Sequence, residues 1–177
     1  MLNCCVMKAH NISQIGVSAK AALQCQTNPS QHILVVEDEP DIRQLDTEVL
    51  RESGYQVDTA ENGLVALHSI NTDHYDLLII EEEMSMVTGL ELVKELRSED
   101  MKVPVILVLG TVPVKESNRN PWPQIQAILF KPYTVAELFR TVREVLRAAS
   151  SGAHVRFAPP SNWQSPALNG WFAALKI

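Results

Sequence analysis

Two acidic clusters and one lysine carry the chemistry that this sequence could do. Glu37, Asp38 and Glu39 follow the apolar run Ile33-Leu34-Val35-Val36, and Glu81, Glu82 and Glu83 follow Leu77-Leu78-Ile79-Ile80. Lys131 follows a third run, Ala127-Ile128-Leu129-Phe130. Carboxylates held close together raise one another's pKa unless a cation neutralises them. Mg²⁺ suits such a cluster, because it takes one or two carboxylates, keeps waters and leaves room for a phosphoryl oxygen. Lys131 would bring a point charge to the same anion. A solvated strand-end acid is the simpler account of any one of these residues. Only the convergence of Glu37, Asp38 and Glu81 with Lys131 would make a site.

Convergence depends on the elements that carry them. Four apolar residues without polar alternation read as a strand buried on both faces, which describes 33–36, 77–80 and 103–109. Tyr55, Val57 and Thr59 alternate instead with Gln56, Asp58 and Ala60, the period of a half-exposed edge strand. Residues 127–130 supply the fifth strand. Helices fall between them. Pro40 is compatible with a first helical turn, and Ile42, Leu45, Val49 and Leu50 recur at helical spacing until Gly54. Asn62-Gly63 opens a short helix carrying Leu64, Leu67 and Ile70, and 89–97 form another with Leu90, Val93 and Leu96 inward. The last helix is the clearest, with Val135, Leu138, Phe139, Val142, Val145 and Leu146 on one stripe. Between strands four and five, Pro113, Pro121 and Pro123 predict an irregular fourth helix over 110–126.

Strands alternating with helices predict an α/β fold, a flavodoxin-like doubly wound parallel sheet built from βαβ units. The alternating second strand belongs at an edge and the wholly apolar first, third and fourth strands in the centre, which gives the order 2-1-3-4-5. Ligands of such sheets bind at the carboxyl edge, where strand order reverses between strands 1 and 3. That point gathers Glu37, Asp38 and Glu81, with Lys131 arriving from strand 5.

Composition narrows the function classes. The chain has 177 residues, 46% of them hydrophobic, enough for one domain with a real core and extensions. A net charge of −6 argues against a nucleic-acid surface. Cys4, Cys5 and Cys25 lie outside the patterned region without metal-ligand spacing, and read as reduced thiols of a cytoplasmic protein. No apolar run approaches the roughly 18 residues of a membrane span, and no signal peptide is expected. His32, His68, His74 and His154 are scattered and read as surface or packing residues.

The expected organisation is a poorly ordered leader over 1–31, the α/β domain over 32–149 and a tail over 150–177. Ser165-Pro166 is a candidate helix start for a short docking segment bearing Leu168, Trp171, Phe172 and Leu175, which Gly170 weakens. The tail is too short for a DNA-binding output domain, so no transcription factor is expected within this chain.

Residues 32 to about 149 resemble a response-regulator receiver domain of two-component signalling. The motifs that carry the resemblance are 33–40 (ILVVEDEP), 55–63 (YQVDTAENG), 75–84 with Thr88-Gly89, and Lys131-Pro132-Tyr133. The resemblance implies phosphoryl transfer from a histidine kinase to an acid ending strand 3, here Glu81, with Lys131 pairing the phosphate. It also implies a Mg²⁺ site from Glu37, Asp38, Glu81 and the backbone carbonyl of Glu83, and a cis Lys131-Pro132 bond.

The departures from that pattern run along one relay. The acceptor position holds Glu81 in place of Asp, and the extra methylene of Glu carries the carboxylate roughly 1.5 Å further out, a displacement large enough to impair a reacting geometry. The strand-4 hydroxyl position holds Leu109, with Thr111 two residues on, and the strand-5 switch aromatic is Ile128. Ser85 stands where a Pro is usual. Acceptor, hydroxyl and aromatic are all altered, whereas Glu37, Asp38 and Lys131 remain.

The sequence therefore predicts a non-enzymatic pseudo-receiver. It would act either as a phosphorylation-independent docking module or as a constitutive mimic of the phosphorylated state. Its partner would be a histidine kinase or downstream effector that sees the last helix and strand 5. A homodimer through the face of the fourth helix, fifth strand and last helix is the other expected contact, with neither nucleic acid nor membrane. The alternatives are Mg²⁺-dependent phosphoryl transfer at Glu81 and a Mg²⁺-dependent phosphohydrolase. The latter needs an aspartyl nucleophile with a second Asp two residues on, and Glu81-Glu82-Glu83 has the spacing without the residue type.

Overall fold

Each apolar run becomes a strand because it can be covered on both sides. The computed structural model describes residues 31–110 and 125–152. Within them β1 (His32–Val36), β2 (Gln56–Ala60), β3 (Leu77–Glu81), β4 (Val105–Leu109) and β5 (Ala127–Phe130) form one parallel sheet. Its order is β2-β1-β3-β4-β5, the flavodoxin-like order that the apolar patterning predicts. The helices are α1 (Pro40–Glu52), α2 (Gly63–Thr72), α3 (Gly89–Ser98) and α4 (Val135–Ser151). Most of the expected leader, residues 111–124 with the irregular helix and Thr111, and tail residues 153–177 lie outside the described residues.

Alternation along the strands divides the core in two. Ile33, Val35, Leu77, Ile79 and Leu129 face α1 and α4, against Leu50, Leu138 and Val142. Leu34, Val36, Leu78, Ile80, Leu109 and Ile128 face α2 and α3, against Ala66, Leu92 and Leu96. The two rows end differently at the carboxyl edge. The α1/α4 row continues past its last apolar residues into Glu37, Glu81 and Lys131, two positions beyond Val35, Ile79 and Leu129 respectively.

Local signals set the helix ends. Pro40 opens α1, and Gly54 beyond its end takes φ 91°, a left-handed conformation. The Asn62 side chain accepts the Val65 N–H at 3.0 Å to start α2. Thr88 with Glu91 and Thr134 with Glu137 form reciprocal capping boxes on α3 and α4.

Some inward assignments are corrected. Leu45, Leu64 and Val135 are exposed, and the buried positions of α1 are Asp46, Thr47 and Leu50. Helical spacing counts apolar residues, but the inner face of α1 also holds polar groups that find partners. Asp46 receives the Tyr133 hydroxyl at 2.6 Å, and Thr47 donates to the Arg43 carbonyl at 2.7 Å. In β2, Thr59 is exposed and Ala60 is buried, because α2 covers the end of this edge strand. The fourth strand begins at Val105 rather than 103, since Pro104 has no N–H for the ladder.

The α4 cap is measurable on its own. Thr134→Ala is expected to lower unfolding free energy by about 1 kcal/mol in urea denaturation. The Thr134 backbone N–H, then its hydroxyl, holds the Glu137 carboxyl below its ordinary value. A depressed carboxyl stabilises the fold above its unfolded-state pKa and loses that contribution as pH falls through the folded one. The variant should therefore show a shallower acid limb than the parent.

Candidate functional site

The carboxyl edge brings Glu37, Glu81 and Lys131 into direct contact. Lys131 Nζ donates to Glu37 Oε2 at 2.9 Å and also pairs with Glu81 Oε2. Both acids are about as buried as the core, 3% and 4% exposed, and Lys131 is part-buried. Apart from the ammonium, Glu81 Oε2 has no donor among the described residues. The remaining carboxylate oxygens are met by backbone. The Glu39 N–H approaches Glu37 Oε1 at 3.3 Å, and the Glu83 N–H approaches Glu81 Oε1 at 3.4 Å.

Each charged group is positioned by sheet ladder and loop bonds rather than by its neighbours alone. Glu37 N–H donates to the Ala60 carbonyl at 3.1 Å, which extends β1 by one residue. Glu81 is the last residue of β3 in register with Val108. Lys131 N–H donates to the Leu109 carbonyl at 2.8 Å. The next bond, Lys131-Pro132, is cis, as the motif implies, and Tyr133 then reaches α1 through Asp46. Arg43 closes the other side, its Nη1 donating to the Glu37 and Asp38 carbonyls at 2.7 and 3.1 Å. Behind β3, a Cβ on Gly89 would stand 2.5 Å from the Glu81 carbonyl oxygen, so only glycine lets the loop after β3 fold back this closely. Glu82 Oε2 accepts the Leu90 N–H at 2.7 Å there and serves α3, not the cluster.

Electrostatics follow from burial and from one cation shared by two acids. Burial pushes the Glu81 carboxyl up, the Lys131 hydrogen bond opposes it, and the nearby Glu37 charge raises it further. Burial works against the Lys131 ammonium, but the Glu81 and Glu37 carboxylates outweigh it and hold its pKa above the ordinary lysine value. The ammonium therefore stays charged at neutral pH. Asp46, also raised by burial, is stabilised as an anion by the Tyr133 hydroxyl, whose own pKa is raised by burial and by that bond.

The other expected site residues separate. The Asp38 carboxylate accepts the Ser85 N–H at 3.3 Å. The Glu83 side chain is exposed beside Gly110. Leu109 and Ile128 are buried on the α2/α3 face, opposite the row that carries Glu81 and Lys131. His32 takes no part, since it begins β1 at the amino edge. There its Nε2 pairs with Asp58 at 2.8 Å and its ring lies 4.5 Å from that of Tyr75. Sequence reading missed Arg43 and Asp46 as supports. Their signal was a polar stripe, Arg43, Asp46 and Thr47, at helical spacing where an apolar one was sought.

The geometry bears on a divalent ion. Mg²⁺ requires near-octahedral oxygen ligands and the charge of one or two carboxylates. Here one ammonium sits on both Glu37 and Glu81. Among the described residues, no three His, Cys, Asp or Glu side chains converge closely enough to share a metal. Glu37 and Glu81 present the one or two carboxylates that Mg²⁺ would take together with waters, and as packed they share Lys131.

A five-stranded doubly wound sheet with acids and a lysine at its carboxyl edge is shared by a known family. The model of the response regulator receiver domain matches residues 33–143, and the chain belongs to that family. It carries a response-regulator receiver of two-component signalling. It is 33% identical over 119 residues to the transcriptional regulatory protein CusR of Escherichia coli (strain K12), a match covering 67% of this chain and 52% of CusR. It is 34% identical over 125 residues to the sensor protein EvgS of Escherichia coli O157:H7, covering 70% of this chain and 10% of EvgS. The chain thus spans about half the length of a regulator such as CusR. Among solved structures, the response regulator TrrA of Thermotoga maritima in complex with Mg²⁺-BeF is 36% identical, with a TM-score of 0.59. That match covers 65% of this chain and 98% of TrrA. No described helix is long and apolar enough to cross a membrane.

Removing the shared cation leaves two acids buried side by side without a counter-charge. Breaking a buried ion pair from one side typically costs about 3–5 kcal/mol. Lys131 is part-exposed, so Lys131→Ala is expected at the lower end, about 3 kcal/mol, in chemical denaturation at neutral pH. Tyr133→Phe, which orphans the buried Asp46 carboxylate, should cost about 1–3 kcal/mol by the same measurement.

Proposed function

We infer that this receiver works as a phosphorylation-independent interaction module, a pseudo-receiver whose edge charge is built in. The observation that carries the reading is the buried Glu81–Lys131 pair. One Glu81 oxygen is taken by the ammonium and the other faces the Glu83 N–H, so the carboxylate is a held charge and not a free nucleophile. Lys131, the phosphate-pairing position of the family, already has its anions.

The apolar residues at the switch positions support the same reading. Leu109 is 1% exposed and Ile128 is 7% exposed, and neither side chain can hydrogen-bond a phosphoryl group arriving at the edge. A domain without that relay can still present α4 and β5 as a fixed surface. The partner it suits is a signalling protein, a histidine kinase or a downstream effector, or a second copy pairing through the same face. The reading includes no turnover.

The test is incubation with a small acyl phosphate donor and Mg²⁺, read by intact-protein mass spectrometry and by phosphate release. Neither a stable adduct nor steady release above the donor's own hydrolysis is expected. A stable adduct on the parent chain would overturn the pseudo-receiver reading, and sustained release would favour the phosphohydrolase. In Glu81→Asp a shorter carboxylate frees the edge, so any labelling gained there should leave the α4/β5 surface unchanged by amide hydrogen exchange. A response of that surface should need Leu109→Thr as well.

A further inference from the structure

We propose that a hollow at the amino edge of the sheet, between α4 and the turn leading into β2, binds a small phosphate monoester. The hollow has a volume of about 300 Å³, at the lower end of the range for small-ligand sites. Tyr55, Arg143, Leu146, Arg147 and Ser150 line it, with Gln31 just ahead of β1. No carboxylate is among the described residues that form its wall. It lies at the opposite end of the strands from Glu37, Glu81 and Lys131, so it is independent of the chemistry at the carboxyl edge.

Three donors without partners meet there. Arg143 and Arg147 are four residues apart on α4, the spacing that makes two side chains neighbours on one helix face. Neither guanidinium has an ion-pair partner among the described residues, although the chain carries a net charge of −6. Arg140, by contrast, acts on the Glu137 carboxyl one turn before it. Helix-end electrostatics do not account for the pair, because no basic residue lies in the last turn of α4, where that effect is concentrated. The third donor is the Tyr55 hydroxyl. The residue is 6% exposed and its ring packs in the α1/α4 core. Among the described residues its hydroxyl has no hydrogen-bond partner, yet it is not sealed in the core. Burial raises the Tyr55 pKa, and the charges of Arg143 and Arg147 oppose the rise, which sets both guanidiniums near the hydroxyl.

A phosphate monoester matches this donor set. Its three terminal oxygens can take two planar guanidinium forks and a hydroxyl at once, and its dianionic charge offsets both arginines. A monocarboxylate has fewer oxygens and half the charge. Leu146 and the Tyr55 ring give the organic part of the ester an apolar wall. Ser150 adds no donor, since its hydroxyl already donates to the Leu146 carbonyl at 2.9 Å.

The test titrates the full chain with phenyl phosphate, inorganic phosphate and benzoate at neutral pH and fixed ionic strength, followed by ¹H–¹⁵N NMR. Phenyl phosphate should give saturable shifts at the Tyr55 and Ser150 amides and the Arg143 and Arg147 Nε–H groups, with a dissociation constant on the order of millimolar. Inorganic phosphate should shift the same groups with weaker affinity, and benzoate should bind roughly tenfold more weakly than phenyl phosphate. Arg147→Gln, at an exposed position, should lower the affinity for phenyl phosphate roughly tenfold. Tyr55→Phe keeps the ring in the core and should lower it roughly fivefold. Arg140→Gln removes a charge outside the hollow and should leave binding as it is. Shifts that rise without saturating, or benzoate binding as tightly as phenyl phosphate, would overturn the proposal. So would unchanged affinity in Arg147→Gln and Tyr55→Phe, or equal losses in Arg140→Gln and Arg147→Gln.

Discussion

One ammonium between two buried carboxylates is the constraint on which the carboxyl edge of this domain depends. Glu37 and Glu81 end the first and third strands and are as shielded from water as the valines and isoleucines behind them. Lys131 is the cation they share, and the two carboxylates outweigh the burial that works against its charge. The contact spans 94 residues and ties β5 to β1 at the end where no apolar layer remains to do so.

Around this contact the polar groups are arranged in support. Arg43 holds the loop after β1, Asp46 and Tyr133 hold the loop after β5, and Gly89 lets the loop after β3 fold against its own strand. These bonds belong to α1 and to loops, so the rigidity of the edge comes from outside the charged trio. Preorganisation of this kind normally serves transfer of a group to the edge. Here the charges satisfy one another through Lys131.

The family relation and the chemistry accordingly give different kinds of information. The match over residues 33–143 places the chain among receivers, and the 2-1-3-4-5 sheet agrees. Fold does not carry activity with it. Leu109 and Ile128 are built into the α2/α3 core, whereas Glu81 lies on the other row beside Lys131. The stability of the sheet depends on its apolar layers and not on the acid that ends β3.

The sheet order was legible in the sequence because burial on two faces leaves a mark that burial on one face does not. Uninterrupted runs such as Leu77-Leu78-Ile79-Ile80 belong to central strands, and the alternation of residues 55–60 belongs to an edge. Strand order then determined that Glu37, Glu81 and Lys131 share one edge. Which of them touch was decided only in three dimensions. Asp38 turns to a loop amide, Glu82 serves a helix, and the polar stripe Arg43, Asp46 and Thr47 faces inward where Leu45 was expected. Periodicity records which faces are apolar, and a charged side chain obeys it only until a partner from a distant strand satisfies its charge.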